Sequence, residues 1–139
     1  METPPARPVS PRGWPRPRGY ANGMVVPAGR DLLFVAGMVG WDAQEKIVAG
    51  GLAAQFEQAL RNVVAVAAEA GGRPEDVVRM LVFVTDKKDY LARRGEIGEA
   101  WKRVMGRHYP AMALVEVAGL VEDGAQVEIE AVAAVAPQR

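Results

Sequence analysis

The sequence predicts an α+β domain with elements in the order β-β-α-β-α-β-β, two helices packing on one face of a mixed sheet. Three observations carry that expectation. Leu52, Phe56, Leu60, Val63 and Ala67 recur at three- and four-residue steps, the period of a helix with one apolar stripe. The segment Val77 to Thr85 is rich in β-branched residues, as buried strands are. The segment "VEIEAVAAV", 127–135, alternates, with Val127, Ile129 and Ala131 on one side and Gln126, Glu128 and Glu130 on the other.

The elements follow in order. Residues 1–18, "METPPARPVSPRGWPRPR", hold six of the ten prolines and four arginines and show no hydrophobic period. That composition predicts a flexible arm, which either stays loose or packs Trp14 on a neighbouring subunit. The domain is expected to span residues 19–136. "GMVVPAG" and "DLLFVAGMVGW" are two apolar runs joined through Ala28-Gly29-Arg30, a hairpin signal. The first helix follows and stops at Gly71-Gly72. "DYLARRGEIGEAWKRVMGRH" predicts a second helix with Tyr90, Ile97, Trp101, Val104 and Met105 along its stripe, weakened by Gly95 and Gly98. Pro110 then ends the helix and opens the strand "AMALVEVAGL".

Composition excludes several kinds of chemistry. Seventeen basic and seventeen acidic side chains cancel, which argues against a nucleic-acid partner. There is no cysteine, so no disulfide, thiolate nucleophile or cysteine metal site, and the chain fits a reducing cytoplasm. Ser10 is the only serine and His108 the only histidine, which leaves no serine triad and no multi-histidine metal centre within one chain. No apolar run is long enough to span a membrane. The glycines of "GMVGWDAQEKIVAGG" lack the spacing of a phosphate loop. Catalysis, with no metal or cofactor expected, falls to carboxylates, arginines, lysines, tyrosines, backbone amides and water.

The candidates are few. Glu128 and Glu130 project to one side of the last strand. The uncovered sheet face is expected to carry Met112, Leu114, Glu116, Glu128 and Glu130 together, a mixture that suggests burial against other subunits. A carboxylate in such a setting can act as general acid or base, or it can be an ordinary surface glutamate. Arg94, near the apolar stripe of the second helix, either snorkels or points into a cleft to hold an anion. His108 fits a helix C-terminal cap. Trp41 is a pocket wall or a loop anchor. Gln55, Gln58 and Asn62 fit exposed helix positions and one packing amide.

The stretches "GYANGMVV", "LFVAGMVGWD", "QFEQALRNVVAVAAEAGGRPEDVVRMLVFVTD", "YPAMALVEV" and "GAQVEIEA" together resemble the RidA/YjgF family over about residues 19–135. The resemblance implies a chorismate-mutase-like fold and a homotrimer whose strands form a central barrel, with a small-molecule site at each subunit cleft. It also implies hydrolysis of 2-imino and enamine acids to 2-oxo acids and ammonia. Carried over, Glu128 matches the glutamate that positions water or moves a proton. Tyr20 matches a pocket-wall tyrosine and Gly37 a turn glycine, and Leu114 stands where a small pocket residue is usual.

The chain departs from the family pattern where substrate is gripped. Met112 stands at the arginine of the Pro-Ala-Arg motif, Ala36-Gly37-Met38 replaces "SGQ", and Arg94 takes the place of a pocket asparagine. Losing one partner of a buried charge-assisted pair costs about 2–5 kcal/mol of binding. Either Arg94 supplies the missing charge from another wall, or Met112, Leu114, Met38 and Trp41 receive a larger apolar ligand. The expectation is a deaminase of a reactive imine or enamine other than the usual small 2-imino acid. The alternative is a non-catalytic binding trimer. RNA cleavage, a reading attached to relatives, is the weakest of the three.

Overall fold

The predicted stripe forms one wall of the core. In the computed structural model, which describes residues 3–138, α1 runs Gly51–Glu69. Leu52, Phe56, Leu60, Val63 and Ala67 are all at most 2% exposed. After the helix, Gly71 takes φ +80° and the amides of Gly71 and Gly72 return to the Ala68 and Ala67 carbonyls, the expected glycine stop. α1 packs on a four-stranded sheet of β3 (Asp31–Val39), β4 (Val77–Val84), β5 (Ala111–Glu116) and β6 (Val127–Val135) in the spatial order β3-β6-β4-β5. The β3–β6 and β6–β4 pairs are antiparallel and β4–β5 is parallel, so the sheet is mixed. A parallel neighbour requires a crossover, which the helical stretch between β4 and β5 provides. No helix among the described residues is long and apolar enough to cross a membrane.

Three local expectations need correction. The second helix is two: α2 (Lys87–Ala92), whose first turn is capped by the Asp86 carboxylate on the Asp89 amide, and α3 (Arg94–Met105). Arg93 leaves helical geometry at φ −112°, ψ 20° between them, next to the weakening Gly95.

The hairpin is also absent. β2 (Gly23–Val25) does not pair with β3. It pairs antiparallel with β1 (Arg7–Val9), a strand inside the expected arm. Arg30 explains the detour. Its Nη1 donates to the Ala134 carbonyl at 2.8 Å and lies 3.2 Å from Asp76, with both side chains 5% exposed. Its Nε and Nη2 donate to the carbonyls of Pro4 and Thr3 at 2.9 and 3.2 Å. The guanidinium thus ties the arm to the sheet and brings β1 beside β2. Met1 and Glu2, also part of the expected arm, lie outside the described residues.

The third correction concerns the sheet faces. β5 pairs Met112 with Met80, Leu114 with Val82 and Glu116 with Val84, and those β4 residues are fully buried in the core. β6 pairs Glu128 with Phe83 and Glu130 with Leu81. Cross-strand partners share a face, so Met112, Leu114 and Glu116 lie on the helix side and Glu128 and Glu130 on the opposite side. The outer face is apolar and uncovered at Phe34, 74% exposed, and Leu32, 54% exposed.

Candidate functional site

Glu128 sits mid-sheet on the outer face, half-buried. A β-bulge between Val35 and Met38 interrupts the neighbouring strand there, with Gly37 inside it. A Cβ at Gly37 would come within 2.8 Å of the Glu128 carboxyl carbon and Oε1. The missing side chain is therefore what gives the carboxylate its room, as bulges near working groups often do. Among the described residues Glu128 makes no ion pair, whereas Glu57 is gripped by both Arg61 and Arg103 at 2.7 and 2.6 Å. Those hydrogen bonds, from Arg103 first and then Arg61, hold the Glu57 carboxyl below its usual range. Glu116 is also committed, since its Oε2 accepts the Lys87 amide at 2.9 Å where α2 begins.

The opposite side holds a cavity of about 230 Å³ between α2–α3 and β5. Met112 and Leu114 line it with Arg94, Tyr90, Trp101 and Tyr109. Trp101 and Tyr109 stack with centroids 5.6 Å apart and planes 3° apart, and the Trp101 indole N–H donates to the His108 carbonyl at 3.0 Å. The Arg94 Nε donates to the Leu91 carbonyl at 3.3 Å. Burial raises the Tyr90 phenol above its ordinary range, opposed in part by the neighbouring Arg94 charge.

The remaining expected site residues scatter. Tyr20 lines a separate cavity of about 520 Å³ under the arm, while its neighbour Gly19 lines the smaller one. The Ala21 amide donates to the Pro110 carbonyl at 2.9 Å, so this segment runs between the two cavities. Met38 packs against the core and pairs with Ile129 on the helix side, away from Glu128. Trp41 is half-buried at the end of β3 and bridges to Ile47, as a loop anchor does. His108 directs Nε2 at the Val77 carbonyl, 2.6 Å away, fastening the turn after α3 to β4. A carbonyl only accepts, so Nε2 carries the proton.

The helix amides hold the loops around the site. Gln55 is buried rather than exposed: it donates to the Gly124 carbonyl and accepts the Gln126 amide, at 3.1 and 2.8 Å. Asn62 donates to the carbonyls of Val39 and Trp41, both at 3.0 Å, and accepts from Gln58 at 2.9 Å. Asn62→Ala is expected to cost about 1–3 kcal/mol in urea unfolding, because two inward carbonyls lose their donor. Tyr90 and Tyr109 were not legible as site residues. Tyr90 read as helix stripe, and Tyr109 as a residue before proline.

The comparisons with known proteins agree with this architecture. Residues 17–135 match the family model described as Endoribonuclease L-PSP. The chain belongs to the RidA/YjgF family. It is 36% identical over 102 residues to the RutC family protein UK114 of Drosophila melanogaster, covering 73% of this chain and 70% of that one. It is 32% identical over 106 residues to the human 2-iminobutanoate/2-iminopropanoate deaminase, covering 76% and 74%. Among solved structures, the Yersinia pestis Rid-family protein of unknown function YyfB superposes with TM-score 0.81 at 30% identity, covering 94% of this chain and 98% of that one. The E. coli YjgF protein superposes at 0.66 with 33% identity, covering 83% and 87%. The YyfB coverage is too large to be reached without part of the arm, so part of the arm aligns with that protein.

Proposed function

We propose that this protein hydrolyses a reactive imine or enamine to a carbonyl compound and ammonia, at a cleft formed when copies of the chain assemble as a homotrimer in the cytoplasm. The observation that carries the reading is the separation of the two half-sites. Glu128, without an ion pair among the described residues and placed against Gly37, lies on one sheet face; the Met112–Arg94 cavity lies on the other. One chain cannot bring them together, but a neighbour that covers the outer face can present its own cavity to Glu128. Exposed Phe34 and Leu32 favour such a neighbour. The human relative, a 2-iminobutanoate/2-iminopropanoate deaminase by name, supports the reaction type.

In this reading the Glu128 carboxylate takes a proton from water as its oxygen bonds to the imine carbon. The C=N π pair moves to nitrogen, which is protonated, and the adduct is a carbinolamine. Loss of the C–N bond with its electron pair, a proton reaching nitrogen and another leaving the hydroxyl, gives ammonia and the carbonyl. The bulge at Gly37 leaves room for that water beside the carboxylate. Arg94 binds an anionic group of the substrate, since Met112 offers none. Methionine at that position also favours a second reading, a trimer that binds a small molecule without turnover.

The test couples an amino-acid oxidase, which generates 2-imino acids of several side-chain sizes, to trapping by semicarbazide. Deaminase activity is expected to reduce semicarbazone formation with at least one imine. No reduction with any of them sinks the catalytic reading and leaves the binding one. Sedimentation is expected to give three times the chain mass, and a monomer at micromolar concentration would remove the shared cleft.

A further inference from the structure

Three arginines fall within residues 87–105, and two of them are spoken for. Arg93 lies 2.7 Å from Asp89 and Arg103 lies 2.6 Å from Glu57. Arg94 meets no carboxylate among the described residues, and its only bond there is from Nε to a carbonyl. Its terminal nitrogens are thus the free cation of a cavity otherwise walled by Tyr90, Trp101, Tyr109, Met112 and Leu114. The Tyr90 phenol lines the same cavity as that cation and is a donor at neutral pH, and burial pushes it further from ionising. Buried Trp101 stacks parallel behind half-buried Tyr109 and holds that ring in place, so Tyr109 is the aromatic face a flat ligand can stack on. The volume, about 230 Å³, is small for a drug-sized ligand but admits one ring on a short chain.

We infer that the substrate is an aryl-bearing imino acid, its carboxylate held by Arg94 with Tyr90 as second donor and its ring lying against Tyr109 over Met112. The inference rests on the deaminase reading for its reaction and on this cavity alone for its selectivity. Tyr90 and Arg94 are then positioning and specificity residues, and Met112 is a floor that a charged residue would make hostile to a ring.

Binding can be measured without turnover. In calorimetry with the full chain, 3-phenylpropanoate is expected to bind at least about tenfold more tightly than propanoate, the worth of burying a phenyl ring. Arg94→Gln should weaken 3-phenylpropanoate about tenfold or more, and Tyr90→Phe severalfold. Arg107→Gln, in the larger cavity under the arm, should leave it unchanged. Equal affinity for the two acids overturns the inference, as does insensitivity to Arg94→Gln. Loss of binding with Arg107→Gln also overturns it, because the ligand would then sit under the arm. The two readings fail separately. Tight 3-phenylpropanoate binding without acceleration of any imine ends the deaminase reading, and with it the assignment of a substrate, but keeps the cavity's selectivity for aryl carboxylates. Acceleration confined to the alanine-derived imine, with weak 3-phenylpropanoate binding, does the reverse.

Discussion

Glu128→Gln is expected to lower imine turnover by about 10²–10⁴-fold, the usual contribution of a positioned general base. The substitution keeps size and hydrogen-bonding capacity but cannot accept a proton from water. It should not disturb the fold, since Glu128 makes no ion pair among the described residues and lies on the outer sheet face. The unfolding midpoint is therefore expected to stay within about 0.5 kcal/mol of the parent. Glu130→Gln is the internal control. Glu130 shares that face two residues away but is exposed and lies beside no glycine notch. Equal turnover in parent and Glu128→Gln would remove the carboxylate from the chemistry. Loss with Glu130→Gln instead would move the site along the strand. A fall in kcat with KM little changed is the signature to look for, because Glu128 is asked to stabilise the transition state rather than hold the substrate.

Local features were readable from sequence because their causes are local. The stripe from Leu52 to Ala67, the stop at Gly71-Gly72 and the alternation of β6 each depend on residues a few positions apart. The phase between strands does not. Within β5 the parity of Met112, Leu114 and Glu116 was correct, and so was that of Glu128 and Glu130 within β6. Which set shares a face depends on register, and one residue of slip exchanges every side chain. The single mixed face imagined from sequence is really two faces, and the proposal of a shared cleft rests on that correction.

The cavity was half-legible. Arg94 on the helix stripe and Met112 on the strand could be named, but their meeting with Tyr90, Trp101 and Tyr109 needed the crossover. The strand within the arm was hidden for a similar reason. Arg7-Pro8-Val9 has a proline where strands disfavour one, and only partners distant in sequence, Gly23–Val25 and Arg30, make it a strand.

A two-stranded ribbon is marginal by itself, so the arm should depend on its latch. Arg30→Ala is expected to destabilise the protein by about 3–5 kcal/mol, because Asp76, 5% exposed, would keep a buried charge without its partner. The Asp76 carboxylate would retain the Arg73 amide at 2.8 Å and, 4.0 Å away, the exposed Arg73 guanidinium. Urea unfolding measures the loss, and a cost below about 1 kcal/mol would place the pair with ordinary surface bridges. The paired replacement Arg30→Met with Asp76→Leu should recover most of the stability, since exchanging both charges for apolar groups removes the unmet desolvation. It should not recover the arm. The carbonyls of Thr3 and Pro4 lose their donors in either variant, and trypsin should cut after Arg12 or Arg18, the arm's two arginines not followed by proline, faster than in the parent. Fast cleavage in the stable double variant would assign the latch to the guanidinium's donors. Cleavage at the parent rate would show that the β1–β2 ladder and the contacts under the arm hold it without Arg30.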